Sequence, residues 1–326
     1  MHISYSRFST YLSCPYKHYL GYIEKLQLKK PVRPLYFGSD FHKLLELRKD
    51  PGELELAKQQ IADKYYEMPG SWQTELGESY LDDLFCIFSD YEETYKEAPL
   101  PQKTEQPFEI LLGRYKGEPV YFVGIIDELY LHKKHGKKII KIGEHKTFSR
   151  KPDMNTLTMN TQKCLYAKAT QIERGILPQE VIWDYIRSTP AKSPIWLPKS
   201  NKFSERSSSD ITAYSWARAC KERAIDDIEV IEKGTKLYGQ NISNFFFRVS
   251  QEFYPQMVDN IWEGFVYTCK EIAKQGHKNK TKNVTRDCQF CNFRDICFSE
   301  MSGGNREYTI EKNYKIKEEK NVKNNN

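Results

Sequence analysis

Apolar residues recur with a helical period toward both ends of the chain and with a strand period in the middle. Phe8, Tyr11 and Leu12 share one face of a short N-terminal helix opened by a serine cap, Ser4 or Ser6. Pro15 either disturbs that helix or starts a second one. After a loop containing Pro31 and Pro34, Phe41, Leu44, Leu45 and Arg48 follow helical spacing in FGSDFHKLLELRK. Residues 53–97 predict one or two helices around a break at Pro69 and Gly70. The later one carries an apolar stripe of Tyr80, Leu81, Leu84, Phe85 and Phe88.

From Pro107 the period falls to two. FEILLGRY, EPVYFVGIIDELYLH and KKIIKIGEHKT, joined by turn signals at Lys116-Gly117 and His135-Gly136, predict three antiparallel strands in a meander. A helix follows over about residues 155–174, closed by Gly175 and Pro178. VIWDYIRS then reads as a buried strand on its alternating Val181, Trp183 and Tyr185. Residues 190–210, rich in Pro, Ser and Lys, predict a long loop, residues 211–275 a return to helix, and residues 302–326 a disordered polar tail. The pattern is that of one domain over residues 1–301, with 51–100 as a helical insertion or cap and 286–298 as a cysteine-rich segment.

Charge changes this picture more than composition does. The 326 residues carry a formal net charge of +6. Residues 51–100, however, hold 3 basic and 12 acidic side chains, a net of −9, which leaves +15 on the remainder. An acidic block turned aside from a basic surface makes a nucleic-acid partner plausible. No run approaches the ~20 apolar residues of a membrane span, and the N-terminus is polar where a signal peptide is apolar. Eight cysteines in such a chain then point to a reducing cytoplasm, where metal ligation is a commoner use for clustered thiols than disulfides.

Chemistry concentrates at Asp127, at the end of YFVGIIDELY, and at Glu144-His145-Lys146, at the end of IIKIGEHKT. Alternation along a strand puts Glu144 and Lys146 on one side, and a hairpin can bring Asp127 beside them. Two buried carboxylates need compensation. A divalent cation supplies it, with Lys146 left to orient a water or to stabilise charge on a phosphate.

These residues resemble the PD-(D/E)XK nuclease superfamily, whose Gly-x-x-Asp and Glu-x-Lys strands stand here as Gly124-Ile-Ile-Asp127 and Glu144-His-Lys146. Further motifs are similar to its RecB-like branch. GSDFHKLLE matches a Gly-x-x-x-His-x-x-Leu-Glu helix with Gly38, His42, Leu45 and Glu46. TQKCLYAKA matches a Gln-x-x-x-Tyr helix with Gln162 and Tyr166. The resemblance implies an α/β, restriction-endonuclease-like fold, a mixed central sheet flanked by helices. It implies Asp127, Glu144, His42 and the backbone carbonyl of His145 as ligands of Mg²⁺ or Mn²⁺. Lys146, Gln162 and Tyr166 are implied as catalytic partners. The sequence departs from relatives at His145, where an aromatic or aliphatic residue is common, and at Gly143.

Cys288, Cys291 and Cys297 form C-x2-C-x5-C, three thiols where a closed tetrahedral site needs four. The early Cys14, in Ser-Arg-x-x-x-Tyr-x-x-Cys-Pro, completes a split that resembles the iron-sulfur members of the branch, AddB-type repair nucleases and CRISPR-adaptation exonucleases. The resemblance implies a [4Fe-4S] cluster joining the helical N-terminal and C-terminal parts; four thiolates by themselves suit Zn²⁺ equally. Cys86, Cys164, Cys220 and Cys269 lack such spacing and read as core residues.

The implied activity is a metal-dependent DNA exonuclease of repair, recombination or phage DNA processing, acting on single strands or free ends. A structure-selective or restriction-type endonuclease, and a catalytically inactive metal-stabilised DNA-binding protein, are the alternatives. Lys192, Trp196, Lys199, Lys202, Phe203 and Arg206 mix basic and aromatic side chains as a strand-tracking surface does. The chain has no G-x-x-x-x-G-K-[ST] loop, so any ATP-driven unwinding falls to a helicase or recombination partner.

Overall fold

The computed structural model describes residues 1–134 and 136–317. The elements follow in the order β1 (His2–Ser4), α1 (Tyr5–Ser13), α2 (Pro15–His18), β2 (Leu26–Leu28), α3 (Arg33–Leu47), α4 (Pro51–Tyr66), α5 (Gly70–Leu76), α6 (Tyr80–Tyr95), β3 (Lys103–Tyr115), β4 (Glu118–Lys134), β5 (Lys137–Phe148) and α7 (Thr161–Arg174). Then come β6 (Glu180–Arg187), β7 (Trp196–Leu197), β8 (Lys202–Phe203), α8 (Ala213–Glu222), α9 (Ile228–Tyr238), β9 (Phe246–Glu252), α10 (Pro255–Gln275), α11 (Arg294–Met301), α12 (Arg306–Asn313) and β10 (Tyr314–Ile316).

A mixed sheet of β3, β4, β1, β5, β6 and β9 organises the molecule. β3, β4 and β5 form the antiparallel meander that the sequence predicts; His135, in the second turn, lies outside the described residues. β6 then runs parallel to β5, with α7 as the crossover, and β9 closes the sheet antiparallel to β6. β3 occupies one edge of β4, so the other edge is shared. β1 pairs with it at 121–123 and β5 at 128–134, and residues 124–127 between them have no ladder partner on that side. Asp127 stands at the end of this gap.

One core layer lies under α1, α7 and α10, where Phe8, Leu165 and Phe265 meet Phe122, Ile142 and Trp183 of the sheet. The second packs α3, α4 and α6 through Phe37, Phe41, Leu84 and Tyr91 onto Ile186 and Phe246. The acidic block is therefore a layer of the fold as well as a charged exterior. A smaller core of Phe203, Trp216 and Tyr238 gathers α8, α9 and the short β7–β8 ribbon.

Four stretches differ from the pattern-based expectation. Residues 2–4 form β1, and Ser4 caps α1 with its hydroxyl accepting from the Arg7 N–H at 3.2 Å. The helix expected from about residue 155 is a single 3-10 turn followed by α7. Asn160 caps α7 by accepting from Lys163 N–H at 3.1 Å, and a cap sets a new start whatever precedes it. Residues 211–275 are interrupted by β9, because Phe246 to Glu252 find an open sheet edge at β6 that a local pattern does not reveal. Residues 306–316, expected in a disordered tail, form α12 and β10, the latter pairing with β2; residues 318–326 lie outside the described residues.

Candidate metal centre

Asp127 and Glu144 face each other across the point where β4 and β5 part. The ladder ends at Glu128 and Gly143, and the next backbone donor, the His145 N–H, goes instead to Asp127 Oδ2 at 2.8 Å. α3 brings His42 Nδ1 to 3.8 Å from Asp127 Oδ1. On β5 and α7, Lys146 Nζ and Gln162 Nε2 both donate to Glu144 Oε2 at 3.2 Å. Glu144 is only 1% exposed, and its Oε1 has no hydrogen-bond partner.

A further carboxylate enters from β3. Ligand atoms of His42, Glu105 and Asp127 all lie within 4.8 Å of one another. The pattern at Pro107 hides Glu105, since the apparent strand starts there. The real β3 begins at Lys103, and it tolerates Pro107 because an edge strand can lack a ladder donor. Thr104 pairs with Glu128 and Gln106 with Ile126, which places Glu105 opposite Asp127. Its φ of 47° is a left-handed conformation that few non-glycine residues adopt, and such kinks concentrate at functional sites. Counting registers back from Asp127 is the one signal that could have found it.

The acids are held in an unbalanced state. Burial, and then the charge of Asp127, pushes Glu105 up to about 7. Burial pushes Glu144 up to about 8, against the pull of Lys146 and with the push of Asp127. Lys146 is raised in turn: burial lowers it, but Glu144 and Asp127 outweigh burial. Three carboxyls at one locus, one with an orphan oxygen, together with an imidazole nitrogen, are a hard-donor set suited to a divalent cation. The residues fit the metal that their motifs imply.

Two implied roles fall differently. The His145 side chain turns to the opposite face of β5 and is no ligand; only its backbone faces the site. Its Nε2 lies 3.2 Å from Glu128 and its Nδ1 3.3 Å from Asp184, and these carboxylates overcome burial to raise it to about 10. Tyr166 is 7% exposed and packs edge-on against Phe108 at 5.3 Å, so it ties α7 to the sheet beside Gln162.

Cys14, Cys288, Cys291 and Cys297 line one cavity of about 440 Å³ between α1–α2 and the segment 282–301. Among the described residues no three of their sulfurs lie within 4.8 Å of one another, whereas tetrahedral zinc would draw them to roughly 3.8 Å. The terminal parts meet instead through Tyr16, Leu20, Phe293, Ile296 and Tyr314, with Arg306 bridging Glu24 and Glu300 at 2.5 and 2.8 Å. Of the other cysteines, Cys164, Cys220 and Cys269 are buried and Cys86 is half-buried.

The basic loop is partly spoken for. Lys192 pairs with Asp210 at 2.9 Å and Lys202 with Glu205 at 3.8 Å, while Trp196 is half-buried beneath Arg223. Arg248 pairs with Asp184 inside the fold.

Over residues 2–298 the sequence matches the PD-(D/E)XK nuclease superfamily, and the chain belongs to it. That membership implies a metal-dependent nuclease. No curated protein matches the chain. Among solved structures, that of SSO0001 aligns with 91% of this chain and 85% of its own at 13% identity and a TM-score of 0.32. No helix of the described residues is long and apolar enough to cross a membrane.

Proposed function

We propose that this protein is a deoxyribonuclease of the RecB-like branch that uses Mg²⁺ or Mn²⁺ and degrades DNA from its ends. The observation that carries the reading is the convergence of His42, Glu105 and Asp127 beside the Glu144–Lys146–Gln162 hydrogen-bonded group. A bound divalent cation would supply a Lewis acid for the scissile phosphate and a more acidic water. His42, Glu105, Asp127 and Glu144 would hold it. Lys146 keeps its ammonium charged at neutral pH and offers it to the negative charge that grows on the phosphate oxygens. Gln162 holds the Glu144 oxygen that Lys146 also contacts, fixing the carboxylate's rotamer.

The motif set around His42 and Gln162-x-x-x-Tyr166 favours the RecB-like branch. The absence of a nucleotide-binding loop favours a nuclease that works alone or beside a separate helicase. The four cysteines around one cavity support a reading in which a polynuclear iron-sulfur cluster, wider than a single zinc ion, binds there. Brown colour with a visible sulfur-to-iron absorbance is expected of the aerobically handled protein, and a colourless zinc protein would remove that part.

End-labelled linear and circular DNA, single- and double-stranded, tests the activity with Mg²⁺ or Mn²⁺. Linear substrates should disappear while circles persist. Cleavage of circles would make the enzyme an endonuclease, and activity surviving both Asp127→Ala and Lys146→Ala would sink the site.

A further inference from the structure

Behind the catalytic strand lies a buried ionic belt that the chemistry above leaves unused. It crosses β4, β5, β6 and β9 in one line. Arg48, at the end of α3, donates to Glu128 at 3.1 Å; Glu128 is 3.2 Å from His145; His145 is 3.3 Å from Asp184; Arg248 donates to Asp184 at 3.1 Å. Tyr91 of α6 donates to Asp184 and accepts from Arg248, and Tyr130 donates to Glu128 at 2.7 Å. Glu128, His145 and Asp184 are each 3% exposed or less. Six buried or half-buried polar groups from six elements thus meet on the sheet face away from Glu144 and Lys146.

Buried ion networks contribute little net stability, since desolvation offsets most of the attraction, so a structural purpose alone is a weak account of this one. Its members sit beside the site residues in sequence. Glu128 follows Asp127, His145 separates Glu144 from Lys146, and Arg48 lies six residues after His42 on the same helical segment. The His145 amide is also the donor that holds Asp127 Oδ2. His145 lies at the centre, the one cation touching both carboxylates. An imidazolium there, with an anion at each nitrogen, fixes the ring and with it the rotation of the strand on either side.

We propose that His145 is a positioning residue, whose imidazolium, clamped between Glu128 and Asp184, sets the height of β5 so that Asp127, Glu144 and His42 share one cation. The inference rests on the metal-dependent reading of that site.

The test is Mn²⁺ binding by the full-length chain, followed by titration calorimetry, alongside its melting temperature without metal. A neutral residue between two buried carboxylates lets the strand shift, so His145→Gln should fold but bind Mn²⁺ about 10- to 100-fold more weakly, as outer groups of metal sites do when changed. DNA cleavage should show the loss in kcat with KM for DNA unchanged. His145→Lys, which restores a cation, should regain most of the Mn²⁺ affinity. If His145→Gln does not fold, the triple change Glu128→Gln, His145→Gln, Asp184→Asn removes all three charges together; it should fold and still bind Mn²⁺ weakly. Unchanged Mn²⁺ affinity in either folded variant overturns the proposal, as does failure of His145→Lys to recover it. A wild type that binds Mn²⁺ yet cleaves no DNA would sink the nuclease reading and leave the positioning role standing.

Discussion

At position 105 a carboxylate faces Asp127 from a kinked backbone, held largely protonated by burial and by its neighbour. Glu105→Gln should weaken Mn²⁺ binding at least about tenfold while leaving metal-free melting unchanged or higher, since the amide removes a like charge beside Asp127. Equal Mn²⁺ affinity in titration calorimetry would exclude Glu105 from the ligand set. His18 makes a different prediction. It is fully buried, accepts from Arg7 Nε at 3.2 Å, and is lowered to about 4 first by burial and then by Arg7. The unfolded chain protonates this group near pH 6.5, the folded one only near 4, so between these values the unfolded state binds more protons. Stability should fall as pH drops from 6.5 toward 4 and be indifferent to this group above. In melting curves across that range, His18→Phe should show a shallower acid decline; parallel declines would refute it.

Where β4 meets β5, glycine explains one departure from the family pattern. Gly143 pairs with Glu128, and a Cβ at 143 would come within 2.7 Å of Glu128 Oε2 and 2.9 Å of its Cβ. Glu128 occupies that space because it reaches Arg48 and His145. Gly143→Ala should therefore cost about 1–3 kcal/mol of stability and push Glu144 out of register, lowering cleavage more than DNA binding. A variant of wild-type melting and activity would contradict the contact. Gly124 has a like reason: a Cβ there would lie 2.4 Å from the Phe108 ring that crosses it. The Gly-x-x-Asp pattern is thus a packing demand of β3 on β4 as well as a marker of the acid.

Across the molecule, the N-terminal helices and the C-terminal segment are joined by an apolar core and by ion pairs around Arg306. The cysteine cavity lies beside this joint, and the joint stands by its own contacts. Ile296→Ala, at a fully buried position, should cost about 2–5 kcal/mol, and by a similar amount in a Cys291→Ser background. Denaturant unfolding of the two single variants and the double variant measures this. If Ile296→Ala has no effect once Cys291 is replaced, the cysteines rather than the core join the termini. The acidic block belongs at this scale too, since α4 to α6 form a second apolar layer while their charges stay outside.

The sequence by itself determined the meander, most of the helices, and Asp127, Glu144, Lys146, His42 and Gln162 as a set, because a period of two or 3.6 and a motif spacing are local properties. Only the tertiary structure decided what needs a partner distant in the chain. β9 and β1 exist because open edges of β6 and β4 await them, and β10 because β2 does. Glu105 joins the site because β3 pairs in a register that puts it across from Asp127, and no spacing along the chain encodes that pairing. His145 reads in sequence as the middle of a ligand motif. Strand alternation turns its ring to the other face, where Glu128 and Asp184, 17 residues before it and 39 after, make it part of the sheet's buried charge.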